Sequence, residues 1–157
     1  MANWCNNTVT FLGDDSDIEK VVNAFRLIAA MSYGEGQQIV KDGGDSGYIF
    51  DIYAGEEFDE QYYVNFQTKW APIPDQIVKI ADLFNVEFYY DYEELGNSVY
   101  GRYIYSKGKL TDYFLTDEEI ELVVPKNEDW DLWSYNGEEY EVREEALELI
   151  LEKKING

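Results

Sequence analysis

Histidine is absent from this chain, and cysteine occurs once, as Cys5. The first absence excludes Ser-His-Asp and Cys-His catalysis and any histidine-ligated metal site. The second excludes an internal disulfide and a two-cysteine zinc or redox centre, and it suits a reducing cytoplasm. Long apolar runs are also missing. No stretch approaches the roughly 18 residues of a membrane span. The N-terminus, Met1-Ala2-Asn3-Trp4, has neither a basic region nor an apolar run, so no signal peptide is expected. Gly34-Glu35-Gly36 and Gly43-Gly44 lack the Gly-Lys-Ser/Thr ending and the strand–helix setting of a phosphate loop. Basic residues are scarce: 12 Lys plus Arg stand against 33 Asp plus Glu, a formal net charge of −21. Such a field repels nucleic acid and anionic membranes and attracts a basic partner or a cation. No cofactor is expected.

What is present is enough for a core. The 157 residues are 45% hydrophobic and 17% aromatic, with 14 Tyr, which predicts one folded domain over 1–157 rather than a disordered chain. Residues 8–12 are β-branched and aromatic and read as a strand. Ser16-Asp17-Ile18-Glu19 is a capping-box pattern with Ser16 as N-cap, and Ile18, Val21, Val22, Phe25, Ile28 and Ala29 continue at helical spacing to about Met31. A glycine-rich loop is expected over 32–47. Tyr48–Tyr53 and Tyr62–Gln67 read as strands flanking the acidic turn Gly55–Glu60, and Pro72 and Pro74 open a second helix. Val86–Glu94, Ser98–Ser106 and Leu110–Leu115 form an antiparallel meander, with Val86, Phe88, Tyr90 and Tyr92 sharing one face. Thr116–Glu119 is a second capping box, while Ile120–Val124 fits strand or helix. Asn136-Gly137 predicts a hairpin turn, and 143–155 a last helix with Glu144 and Glu145 early and Lys153 and Lys154 late. The order argues for an α+β fold: an antiparallel sheet with helices on one face, in a split βαβ, ferredoxin-like arrangement, plus a C-terminal hairpin and helix.

Three short segments carry a family resemblance. Asn3-Trp4-Cys5-Asn6 opens the first strand, Thr68-Lys69-Trp70-Ala71-Pro72 precedes the second helix, and Tyr92-Glu93 leads through Gly96 and Gly101 to Lys107-Gly108-Lys109. Together they resemble the YubB-like proteins of bacteriophages and plasmids, over residues 3–115. The resemblance implies a ferredoxin-like core over 1–115, an origin in a mobile element and, with it, a bacterial host. It implies no activity. Residues 116–157 then form an acidic extension packed on that core.

Acid is unevenly spread. Residues 35–68 hold eight acids and one base, and 111–148 hold fourteen acids and two bases, whereas 69–110 are nearly neutral with six against five. Compact-domain scaling gives a diameter of roughly 40 Å. Twenty-one net charges over that span approach the spacing of about one charge per 1.7 Å in duplex DNA. Carboxylates this dense make any glycosidase-like pair uninformative. Asp14, Asp15 and Asp17 fit helix capping better than a calcium loop. Trp4 and Trp70 border elements and read as core packing, and Lys69 as a surface lysine.

Two functions follow, neither enzymatic. In the first, a phage or plasmid protein blocks a basic site on a host protein, such as a nucleic-acid-binding defence enzyme, by mimicking phosphates and without touching nucleic acid itself. Its contacts are Glu118, Glu119, Glu121, Glu128, Asp129, Asp131, Glu138 and Glu139, with Glu56, Glu57, Asp59 and Glu60 as a second patch. In the second, exposed Tyr and Trp bind a small or uncharged ligand and the acid serves solubility. Trp130 and Trp133 are either interface residues or anchors of the C-terminal segment.

Overall fold

The computed structural model describes residues 3–32, 37–38, 48–55 and 62–157. Its elements are β1 (Trp4–Leu12), α1 (Asp15–Ser32), β2 (Gln37–Gln38), β3 (Tyr48–Ala54), β4 (Tyr63–Lys69), α2 (Pro74–Phe84), β5 (Glu87–Glu94), β6 (Val99–Ser106) and β7 (Lys109–Phe114). The chain continues through α3 (Asp117–Glu121), β8 (Val124–Pro125), β9 (Trp133–Tyr135), β10 (Glu138–Tyr140) and α4 (Arg143–Asn156). Seven strands form one sheet in the order β2-β3-β4-β1-β5-β6-β7, with neighbours antiparallel.

The ferredoxin-like fold is present in the four central strands. β4 lies between β1 and β3, which α1 connects, and β1 lies between β4 and β5, which α2 connects. These are two interlocked split βαβ units. β6 and β7 widen the sheet beyond β5. Alternation decides which face each residue serves. Cys5, Asn7, Val9 and Phe11 of β1, Val64 and Phe66 of β4, and Phe88, Tyr90 and Tyr92 of β5 are buried with Val21, Val22 and Phe25 of α1 and Ile77, Ile80 and Ala81 of α2. Phe25 stacks on Phe66 at 6.4 Å, and Phe66 meets Tyr90 edge-on at 6.0 Å.

Local signals mostly resolve as expected, with two corrections, at Ser16 and at Pro72. Ser16 is not the N-cap: α1 begins at Asp15, and the Asp14 carbonyl accepts from the amides of Asp17 and Ile18, both at 3.0 Å. Aspartate caps as well as serine does, and the strand ends at Leu12, early enough for Asp14 to take that position. Pro74 occupies the first turn of α2, while Pro72 stays outside it. Thr116 forms a full capping box with Glu119, so Asp117–Glu121 is helix, and a strand begins only at Val124. Asn136 (φ 52°) and Gly137 (φ 82°) make the two-residue turn between β9 and β10.

The C-terminal extension has an apolar cluster of its own: Leu115, Ile120, Val123, Ala146, Leu147, Ile150 and Leu151, with Tyr100, Tyr113 and Trp133 packed against it. α1 and α2 cover one face of the sheet, and α4 reaches the other. Glu148 of α4 bonds Tyr100 and Arg102, which lie opposite Glu93 and Asp91 in register and so face away from Tyr90 and Tyr92.

Candidate functional site

Two of the three segments that carry the family resemblance, at Cys5 and at Thr68–Ala71, meet with Asn7, Ile73 and Tyr90 in a buried polar knot. Asn7 Nδ2 donates to the Cys5 carbonyl and to Thr68 Oγ1, both at 2.9 Å, and Tyr90 Oη donates to Asn7 Oδ1. The Ile73 amide donates to Tyr90 Oη at 3.2 Å, and Thr68 Oγ1 donates to the Ala71 carbonyl at 2.7 Å. These bonds tie β1, β4 and the entry to α2 together. Burial pushes the Cys5 thiol up to about 11, so it is protonated at neutral pH and is a packed side chain rather than a nucleophile. Gly101 is equally structural. Tyr92 Oη crosses the place its Cβ would take on the way to Asp112, 2.7 Å away. Tyr90→Phe strands the Ile73 amide and leaves Asn7 Oδ1 only the weak Cys5 thiol donor at 3.8 Å, and is expected to cost about 1–3 kcal/mol of unfolding free energy, read by denaturant titration.

Trp4 and Trp70, expected in the core, are 41% and 60% exposed. Trp4 shares a strand face with Asn6, opposite the buried Cys5 and Asn7, so alternation turns it outward. Trp70 follows β4 at φ 71°, which swings its ring away from the strand face. Trp4 meets Phe50 edge-on at 5.1 Å, and Lys69 Nζ lies 5.8 Å and 5.1 Å from the two ring centres.

The acidic extension presents its carboxylates outward. Glu118, Glu121, Glu128 and Asp129 are exposed with no ion pair or side-chain hydrogen bond among the described residues. Glu119 is half-buried, closing the α3 capping box and pairing with Lys154 at 2.6 Å. Glu139 pairs with Lys126, Asp131 accepts from the Asn127 amide, and Glu138 accepts from Tyr140 at 3.2 Å. The four bases of the extension are turned to partners within the fold. Besides those two lysines, Arg143 lies over Trp133 at 4.9 Å and Lys153 near Tyr135 at 5.8 Å. Trp130 is 62% exposed and touches the half-buried Trp133 edge-on at 5.6 Å. Trp133 therefore anchors the segment, and Trp130 faces solvent. Glu56, Glu57, Asp59 and Glu60 lie outside the described residues.

A second feature, missed in the sequence, is a groove of about 540 Å³ between the open sheet face and α4, lined by Asn6, Thr8, Asn65, Asp91, Glu93, Tyr100, Arg102 and Glu148 among others. Polar side chains cross the strands in register. Gln67 donates to Asn6 at 3.1 Å, and Asn65 donates to Thr8 at 2.8 Å. Arg102 bonds Asp91 and Glu148, both at 2.6 Å. Burial raises the Asp91 carboxyl above its ordinary range, although Arg102 pulls the other way. Glu93 is raised by burial and by the charge of Glu144, against a hydrogen bond from Asn6. Asp112 is raised by burial too.

These shifts carry a sign. Asp91, Glu93 and Asp112 hold their protons to higher pH folded than unfolded, so they favour folding below the carboxylate range and lose that contribution as pH rises through their raised values. Glu119, lowered by Lys154, works in the opposite direction. With three raised groups and the net charge of −21 acting together, stability is expected to be greater at about pH 5 than at about pH 8. Denaturant midpoints at the two pH values check this, and an equal or higher midpoint at the alkaline value contradicts it.

Among the described residues, no three His, Cys, Asp or Glu side chains are placed to hold a metal ion, and no helix is long and apolar enough to cross a membrane. Residues 49–147 match a family model described as the ferredoxin-like domain in Api92-like protein. That match runs through α3, β8, β9 and β10 into α4, so most of the acidic extension lies inside the family's domain. No curated protein matches the chain, and no solved structure does.

Proposed function

We propose that this chain, which belongs to the family of ferredoxin-like domains in Api92-like proteins, works by binding a basic surface of another protein rather than by catalysis. One observation carries the reading. The extension turns its own four bases to internal contacts while Glu118, Glu121, Glu128 and Asp129 remain solvent-exposed, with no ion pair among the described residues. Carboxylates carried on a packed scaffold present a negative patch fixed in place by the backbone, which steers association with a positive one. The resemblance to YubB-like proteins of bacteriophages and plasmids supports a finer reading. The partner is then a host protein in the bacterial cytoplasm, its basic site is one that normally meets nucleic acid, and the acidic face occupies that site. Salt tests this. A partner captured from bacterial extract at low ionic strength is expected to elute early in a salt gradient, because exposed charge pairs are screened within about 10 Å at 0.1 M. A partner retained through high salt overturns the reading.

Exposure of Trp130, Trp4 and Trp70 favours a second reading, in which aromatic rings make the contact and acid serves solubility. Trp130→Ala separates the two. It abolishes binding under the aromatic reading and weakens it modestly under the acidic one.

A further inference from the structure

Trp130 goes against its own preferences twice. Its ring is 62% exposed, and its backbone sits at φ 58°, the left-handed region that disfavours a bulky side chain. The loop that carries it, residues 126–132 between β8 and β9, is closed without the indole. The Lys126 amide donates to the Leu132 carbonyl at 2.8 Å, and the Trp130 amide to the Asn127 carbonyl at 3.4 Å. Across the loop, the Asp131 amide donates to Asn127 Oδ1 at 3.3 Å, and Asn127 Nδ2 donates to the Asp131 carboxylate. Glycine or asparagine at 130 would take the same turn with less strain. Folding therefore does not call for an indole at this place. A costly conformation that exposes a large ring points to a contact outside the chain. The ring is nonetheless held in position. It rests edge-on against Trp133 at 5.6 Å, and Trp133 is fixed by its strand partners Pro125 and Tyr140 and by Arg143 at 4.9 Å.

Charge says what the ring meets. Glu128 and Asp129 precede it and Asp131 follows it, all three exposed and none in an ion pair among the described residues. A ring with carboxylates on both sides matches the layout of a protein interface, where contact dries an apolar centre and a polar rim surrounds it. We propose that Trp130 is the apolar centre of the acidic surface and enters an apolar pocket of the partner whose rim carries Lys or Arg. The inference rests on the proposed basic partner and adds the uncharged half of the contact. Carboxylates at 128, 129 and 131 steer the approach and set the salt dependence. Burial of the indole supplies affinity that salt does not screen.

The test uses a lysine–leucine copolymer as probe and a lysine–glycine copolymer of the same length and lysine content as control, each titrated against the intact chain. Equal charge makes the leucine side chains the one difference between them. The leucine copolymer is expected to bind about tenfold more tightly, a size that partial burial of an indole supplies, and to move tryptophan emission to shorter wavelength. That factor should hold at low and at raised ionic strength, while both affinities fall with salt. Trp130→Gly is expected to remove the preference and leave the salt dependence as it was. Trp130→Asn, also at home in the left-handed region, serves as an independent second variant. Both should keep the denaturant midpoint of the native chain. A marked fall in both midpoints shows a ring held for folding and overturns the proposal, as does a leucine preference that survives both variants. Copolymers that bind equally and release with salt refute this inference alone and leave the acidic-surface reading standing. A leucine preference with no salt dependence refutes that reading, and the charged rim with it.

Discussion

Leu147→Ala is expected to lower the unfolding free energy by about 2–5 kcal/mol, the range for emptying a fully buried leucine site. Leu147 is 0% exposed, at the centre of the small cluster that seats α4, α3 and Leu115 against the sheet. Against a total of roughly 5–15 kcal/mol for a domain of this kind, that is a large share. The loss should also be local. The larger core between the sheet and α1 and α2 shares no buried residue with this cluster. Hydrogen exchange is therefore expected to accelerate in α4 and β9 well before β1 and β5. Uniform acceleration across the chain contradicts the existence of two cores. The point bears on function, since the outward carboxylates of the extension are a surface only while this cluster orders it.

Replacing Glu118, Glu121, Glu128 and Asp129 together with lysine is the second large effect. Each substitution changes the local charge by two, and together they take residues 111–148 from a net −12 to a net −4. Close charge pairs at interfaces couple by about 1.5–7 kcal/mol, so partner affinity is expected to fall by at least about a hundredfold at low salt. All four side chains are exposed and make no ion pair or side-chain hydrogen bond among the described residues. Folding should therefore be little changed, or slightly favoured as net repulsion declines. Reversal at Glu119 would be a poor choice, because that side chain closes the capping box and holds Lys154.

Much of the scaffold was legible because its signals are local. The Asn136-Gly137 turn announces itself in two residues, and the alternation of Val86, Phe88, Tyr90 and Tyr92 assigns a buried face without reference to any partner. Outward acid at 118–131 was legible for the same reason. The groove was not. Arg102 meets Asp91 across eleven residues and Glu148 across forty-six, and neither separation has a period that local patterning records. Which face α4 covers depends on how β6 and β7 extend the sheet, a fact of strand register. Trp4 and Trp70 show the opposite difficulty. Ring size argues for burial, but alternation from Cys5 and a positive φ after β4 decide against it.

The most direct test of the acidic surface is the dissociation constant of the captured partner, measured across ionic strength for the native chain and for the quadruple lysine variant. The account predicts a steep loss of affinity with salt for the native chain, and a much weaker, nearly salt-independent interaction for the variant. Affinities that coincide for the two proteins and stay flat from low to high salt would contradict it.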